Sequence, residues 1–151
     1  MYKSIVVGID GSGTARAAML KAADLAKLTG ARVHIVTASA RGYLADLVAI
    51  EPMAAGVIDA LRTAEADVAS ASERLLERAA EEVRDFGVDV ETHLVDDSPA
   101  DGIVGVAESV GADLIIVGNK GMRGKKRYVL GSVPNSVAHS APCDVTIVST
   151  S

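Results

Sequence analysis

Residues 3–14, KSIVVGIDGSGT, contain the pattern that decides the fold. The short, β-branched apolar run over residues 3–10 predicts a buried strand, and Gly11-Ser12-Gly13 after it predicts a tight turn. Thr14 is then the predicted N-cap of a helix over residues 15–28, which Gly30 ends. A strand, a glycine turn and a helix in this order predict the start of an α/β unit.

The same alternation continues to the end of the chain. Apolar residues in steps of three or four predict a long helix that includes Leu61 and ends at Phe86. Residues 39–59 predict a long loop, with a short helix within it as an open alternative. Residues 88–94 alternate between polar and apolar, which is typical of a sheet edge. The other predicted elements are strands at 31–38, 113–118 and 144–148, a helix opened by Asp97-Ser98-Pro99, and a last helix capped by Ser132. Five strands and four helices predict a single α/β domain over residues 1–151, with an open, mainly parallel sheet and helices on both faces.

Composition excludes several classes of protein. Of the 151 residues, 49% are hydrophobic and 23% are charged, which excludes a disordered chain. The mean hydropathy is +0.29, yet no apolar run is long enough to span a membrane, and no signal peptide is visible, so we expect a cytoplasmic protein without a membrane partner. The single cysteine, Cys143, excludes an internal disulfide, and an aromatic content of 3% with a net charge of −5 argues against a nucleic-acid partner.

Positive charge is concentrated in one glycine-rich loop after the fourth predicted strand. Five of the 15 basic residues lie in residues 120–127, and no acidic residue occurs between Asp113 and Asp144. Such a run is often a solvated loop, but glycines let a backbone approach a ligand, and a helix N-terminus adds partial positive charge. Asp10, at the end of the first strand, would accept a hydrogen bond from a ribose or a base. The pattern therefore favours a site for a nucleotide in the crevice beyond the carboxyl ends of the strands.

Two common nucleotide-binding motifs do not fit. Gly11-Ser12-Gly13 begins like a dinucleotide fingerprint, but Arg16 stands where its third glycine is required. For a phosphate-binding loop ending in Lys125, Asn119 and Lys126 occupy the positions that need glycine and Ser or Thr. The sequence therefore supports neither a Rossmann dehydrogenase nor a P-loop hydrolase.

The spacing Gly118-x2-Gly121-x9-Gly131-Ser132, after an apolar strand, resembles the ATP-binding signature of the universal stress protein family. The opening at residues 5–12 and the segment at residues 131–145 are similar to that family as well, and the likeness covers nearly the whole chain. The resemblance implies a Rossmann-like sheet of the adenine nucleotide alpha hydrolase-like type, dimeric through its last strand. It also implies that the crevice binds ATP or a related adenine nucleotide.

Carried over position by position, the resemblance implies which residues bind the nucleotide. Asp10 and Ala38 would face the adenosine, the glycines and Ser132 would hold ribose and phosphates, and Met122 and Arg123 would line the loop. Asp97 stands where many relatives have glycine, and a carboxylate there would repel a phosphate. The complete expected set is Ile9, Asp10, Gly11, Ala38, Val117, Gly118, Lys120, Gly121, Met122, Arg123, Gly131, Ser132 and Val133.

The sequence indicates no catalytic residue and no metal-binding residue. His34, His93 and His139 have no spacing that suggests ligation or a relay, and Asp96-Asp97 is typical of a turn. A Mg²⁺ ion would arrive with the phosphates. Three alternatives stay open at this point: a cyclic AMP-binding member of the family, a slow ATPase or nucleotidyl-transfer enzyme, and a scaffold with a vestigial pocket.

Overall fold

Strands and helices alternate along the parts of the chain that the computed structural model describes, residues 1–39, 65–120 and 129–150. The strands are β1 (Ser4–Gly8), β2 (Arg32–Ala38), β3 (Val90–Val95), β4 (Leu114–Gly118) and β5 (Asp144–Val148). The helices are α1 (Gly13–Thr29), α2 (Glu65–Arg84), α3 (Pro99–Val110) and α4 (Ser132–Ser140). This alternation confirms the predicted fold class.

The sheet has the strand order β3-β2-β1-β4-β5, and all four pairings are parallel. β1 lies at the centre, where Val7 pairs with Ile35 on one side and Ile116 on the other. The chain moves outward from β1 through β2 to β3, then returns to the other side of β1 for β4 and β5. The order therefore reverses between β1 and β4, and the predicted edge position of β3 is confirmed.

Each face of the sheet is covered by two helices. One apolar core joins α1 and α2 to the face that carries Ile5, Val7 and Ile35. The other joins α3 and α4 to the face that carries Val6, Val36 and Ile115. Strands buried on both faces explain the continuous apolar runs in the sequence.

The beginnings of α1 and α4 differ from the prediction. Ser12, not Thr14, is the N-cap of α1, and its hydroxyl accepts a hydrogen bond from the Ala15 N–H at 3.2 Å. The reason is local: the Asp10 carboxylate accepts the Ser12 N–H at 2.9 Å, which holds Ser12 in the extended conformation that an N-cap needs. Gly131, not Ser132, is the N-cap of α4, so Ser132 is the first helical residue.

The predicted helix ends agree with the structure more closely. Gly30 and Gly111 end α1 and α3 with φ values of +75° and +61°. α2 ends at Arg84, and Gly87, with φ of +77°, completes the turn that follows.

Three predictions lie outside the described residues. They are residues 40–59 of the predicted loop, the start of the long helix at Leu61, and the loop residues Gly121, Met122 and Arg123. Among the described helices, none is long and apolar enough to cross a membrane.

Candidate functional site

An open crevice lies where β1, β2 and β4 end and α3 and α4 begin. Its unfilled space, including the mouth, is about 520 Å³. This is the point at which strand order reverses, and open parallel sheets bind their ligands there because the loops on either side diverge. The described residues that line it are Gly8, Ile9, Asp10, Ala15, Val36, Ala38, Pro99, Ile103, Val117, Gly118, Lys120, Val133 and Pro134.

On the β1 side of the crevice, hydrogen bonds to β2 fix Ile9, the residue just beyond the end of β1. The Ile9 N–H donates to the Val36 carbonyl at 2.9 Å, and the Thr37 hydroxyl donates to the Ile9 carbonyl at 2.9 Å. Asp10 follows, with its Oδ1 accepting the Ser12 N–H. No hydrogen bond from the described residues reaches Oδ2, so this oxygen is available to a ligand.

The β4 side depends on close packing at Gly118. A Cβ atom there would come within 3.1 Å of the Thr14 carbonyl oxygen on α1. Asn119 follows, and it is anchored to β5 because its N–H donates to the Val148 carbonyl at 2.9 Å. The Thr150 N–H donates to the Asn119 side-chain oxygen at 3.3 Å, which fixes the direction of the chain as it leaves the strand.

The two ends of the basic loop lie side by side. The Gly131 N–H donates to the Asn119 carbonyl at 2.9 Å, and a Cβ on Gly131 would lie 3.3 Å from the Cα of Lys120. Gly131 is thereby brought next to the residue that follows Gly118, although the two glycines are 13 positions apart in sequence. The loop begins and ends next to the N-terminus of α4.

The N-terminus of α4 lacks the side-chain cap that α1 and α3 possess. Ser12 caps α1, and Ser98 caps α3 by accepting the Asp101 N–H at 3.4 Å. Gly131 has no side chain with which to do the same for α4. The first-turn N–H groups of a helix have no partner within it, so this end offers partial positive charge and free donors to an anion. Lys120 adds a full positive charge to the lining.

Comparison with known proteins agrees with this architecture. The family model described as "Universal stress protein family" matches residues 1–149. The chain belongs to the universal stress protein family. Universal stress protein YxiE of Bacillus subtilis is 32% identical over 150 residues, which cover 98% of this chain and 99% of that protein.

Two solved universal stress proteins resemble this one over nearly the whole chain. One, solved in complex with cAMP, is 30% identical with a TM-score of 0.69, and the match covers 99% of this chain and 98% of the other. The second, from Archaeoglobus fulgidus and solved in complex with dAMP, is 27% identical with a TM-score of 0.62, covering 97% of each chain. Both of these relatives therefore bind an adenine nucleotide.

The expected nucleotide-binding residues of this universal stress protein fall into three groups. Seven line the crevice: Ile9, Asp10, Ala38, Val117, Gly118, Lys120 and Val133. Gly11 and Ser132 adjoin lining residues in sequence, and Gly131 is hydrogen-bonded to Asn119 beside Lys120, but none of these three residues lines the crevice. Gly121, Met122 and Arg123 lie outside the described residues. Asp97 is exposed and is not among the described residues that line the crevice. The expected repulsion between its carboxylate and a phosphate therefore does not arise from a lining residue.

Sequence reasoning missed six lining residues. They are Gly8, Ala15, Val36, Pro99, Ile103 and Pro134. Val36 lies two positions before Ala38 on β2 and therefore on the same face of the strand. The two-residue period of a strand could therefore have predicted it. Pro99 and Ile103 come from α3, and no local pattern indicated that α3 begins beside the end of β1.

Proposed function

We propose that this universal stress protein binds an adenine nucleotide, and that ATP is the ligand that it uses as a regulatory signal. One observation carries the proposal: the crevice lies where the strand order reverses, and Lys120 and the N-terminus of α4, which has no side-chain cap, lie beside it. Relatives of the same fold in complex with cAMP and dAMP support an adenine ligand.

The base and the ribose would occupy the inner part of the crevice. Ile9, Ala38 and Val117 give this part apolar walls, which suit the flat faces of adenine. Oδ2 of Asp10, which accepts no hydrogen bond from the described residues, would accept one from a ribose hydroxyl or from the amino group of the base. A nucleoside would therefore be held by one directed polar contact inside a mainly apolar site.

The phosphates would extend toward α4. The N–H groups of its first turn, the Ser132 hydroxyl and the Lys120 ammonium provide donors and positive charge there. A Mg²⁺ ion would enter with the phosphates and take most of its ligands from them and from water. Arg123 would add a second positive charge through the basic loop.

A cyclic AMP-binding function is the second candidate, favoured by the cAMP complex of a relative that is 30% identical. Cyclic AMP has a single negative charge on a compact phosphate, whereas ATP extends three phosphates past α4. The two ligands should therefore depend differently on Lys120 and on the loop.

The decisive experiment is to purify the protein without a tag, denature it and identify any released small molecule by mass spectrometry. We expect an adenine nucleotide near one equivalent per chain. Titration calorimetry of the stripped protein with ATP, ADP, AMP, cyclic AMP and adenosine then ranks the ligands.

An Ala38→Leu variant, whose longer side chain would fill the crevice, should abolish binding, whereas Ala38→Ser should retain it. A stripped wild-type protein that binds none of the five ligands would contradict the proposal.

Turnover is measured on the same samples. Incubation with ATP and Mg²⁺ should leave the nucleotide largely intact over the time of a binding experiment, because Asp10 is the one candidate general base among the described lining residues. Rapid ADP or pyrophosphate release would instead favour the enzymatic alternative.

We further propose that the protein is a cytoplasmic homodimer that pairs through β5. β5 is an edge strand of the sheet, and Ile147 on it is 37% exposed. An open edge with an exposed apolar side chain is suited to pairing with a second chain.

A further inference from the structure

We propose that His34, Glu91 and His93 form a binding site for a divalent transition-metal ion, with Zn²⁺ as the ion that fits best. His34 Nδ1 lies 3.0 Å from His93 Nε2 and 3.7 Å from Glu91 Oε2. The three ligand atoms all lie within 4.8 Å of one another. None of these residues lines the nucleotide crevice, so the site is separate from it.

The strand register brings the three side chains together. His34 on β2 is the direct partner of Glu91 on β3. His93 lies two residues beyond Glu91, so the two side chains point to the same face of β3. The positions are set by backbone pairing rather than by the rotamer of one long side chain.

The donor set suits Zn²⁺. Two imidazole nitrogens and one carboxylate oxygen are a common protein ligand set for this ion, with water in the fourth position. Tetrahedral Zn²⁺ with Zn–N distances of about 2.0–2.1 Å places two nitrogens roughly 3.3 Å apart. The observed separation of 3.0 Å needs only a small rotation of His93, which lies on the edge strand and is partly exposed.

Burial and charge also favour a metal ion. His34 is 5% exposed, and this burial, followed by the neighbouring His93, lowers the pKa of His34. The Arg32 guanidinium lies 2.7 Å from Asp89 Oδ2 but 3.8 Å from Glu91 Oε2. The arginine is therefore closer to Asp89 than to Glu91, whose Oε2 also lies 3.7 Å from His34 Nδ1.

The competing explanation is a plain hydrogen bond between the two rings. Their centroids are 5.2 Å apart and their planes are tilted by 37°, which a simple N–H to N contact also allows. A hydrogen-bonded pair would bind Zn²⁺ no better than an exposed histidine does. A metal site would bind one ion per chain and would lose it when either His93 or Glu91 is replaced.

The test uses tag-free protein that has been treated with a chelator and then titrated with Zn²⁺ against a chromophoric competitor. We expect one tight equivalent per chain, and a Co²⁺ derivative with the intense visible absorption of a four-coordinate site. His93→Gln and Glu91→Gln lie at a partly exposed edge and should fold normally. Each should weaken Zn²⁺ binding at least tenfold, whereas His139→Gln removes an exposed histidine on α4 and should leave it unchanged.

Two results would overturn the proposal. One is that wild-type protein binds Zn²⁺ no more tightly than the His93→Gln variant does. The other is that the His139→Gln variant loses as much affinity as the His93→Gln variant. Thermal denaturation adds an independent readout: Zn²⁺ should raise the Tm of wild-type protein, because it links β3 to β2, and should not raise that of His93→Gln.

Discussion

The backbone N–H of Gly131 donates to the carbonyl oxygen of Asn119 at 2.9 Å, and this hydrogen bond closes the basic loop at its base. Asn119 is in turn bonded to Val148 at the end of β5. The start of α4, the end of β4 and the end of β5 are therefore fixed to one another. A ligand that contacts the basic loop would therefore act on a segment whose two ends are held by hydrogen bonds at Asn119.

Gly131→Val should weaken ATP binding at least tenfold while leaving most of the stability intact. Its φ of −60° is allowed for valine, but a Cβ would lie 3.3 Å from the Lys120 Cα and push that residue away from its place. Calorimetry measures the affinity, and thermal denaturation with circular dichroism measures the fold. Unchanged affinity in a folded variant would mean that the base of the loop does not control the site.

Gly118→Ala should lower the free energy of unfolding by about 1–3 kcal/mol, because its Cβ would press on the α1 backbone at Thr14. The matched control is Gly105→Ala within α3, where a Cβ meets nothing within 4 Å. That substitution should raise the free energy of unfolding by roughly 0.4–1 kcal/mol. Urea denaturation of both variants provides the measurement, and equal effects would contradict the packing argument.

Lys120→Gln should reduce affinity for ATP about tenfold and hardly change affinity for adenosine, because in the proposed binding mode only the phosphates would interact with the ammonium group. Lys27→Gln, on α1, removes the same charge outside the crevice and should leave both affinities unchanged. The difference between the two ligands should shrink as salt is added. Equal losses for ATP and adenosine would instead indicate that Lys120 acts through the shape of the site.

Asp113→Asn should make stability less dependent on pH in acid. The N–H groups of Lys3 and Ser4 donate to the Asp113 carboxylate at 2.7 and 3.0 Å, and these bonds hold its pKa below the ordinary value. The stabilisation is complete above the unfolded pKa of about 3.9 and is lost as the pH falls through the lower folded pKa. Urea denaturation from about pH 5 down to about pH 3 should show a steeper loss for wild type than for the variant. If the free energy of unfolding falls with pH equally in wild type and variant, the loss of stability in acid comes from other carboxylates.

Ile147→Glu should convert the proposed dimer to a monomer, since it would place a charge on the exposed side of β5. Sedimentation velocity measures the state of assembly. Leu94→Glu, at the opposite edge of the sheet, is the control: Leu94 is exposed too, and its replacement should leave the dimer intact. A wild-type protein that sediments as a monomer would exclude the dimer.

Local pattern was sufficient to predict most of the fold. The apolar runs around Val6 and Ile115 predicted buried strands, and both faces of those strands are buried. Polar alternation in β3 predicted an edge, and every residue of this edge strand is exposed or half-buried. The cap of α1 was misplaced by two residues, since the contact from Asp10 to Ser12 that selects the cap depends on conformation as well as on residue type.

The candidate site could be predicted only in part. The glycine spacing indicated Gly118 and Gly131, and the end of β1 indicated Asp10. Pro99 and Ile103 could not be found because α3 reaches the crevice through packing between distant segments. The pairing of His34 with His93 was missed for the same reason: the residues are 59 positions apart, and only the register of β2 and β3 brings them into contact.

The central position of β1 has a consequence for the order in which the protein forms during synthesis. β1 and its neighbour β2 leave the ribosome early, whereas β4, which covers the other edge of β1, is made only after α3. Until then, the growing chain presents an open strand edge in the middle of its future sheet. Such an edge can pair with another nascent chain, so the interval before β4 is made is one in which the growing chain is exposed to aggregation.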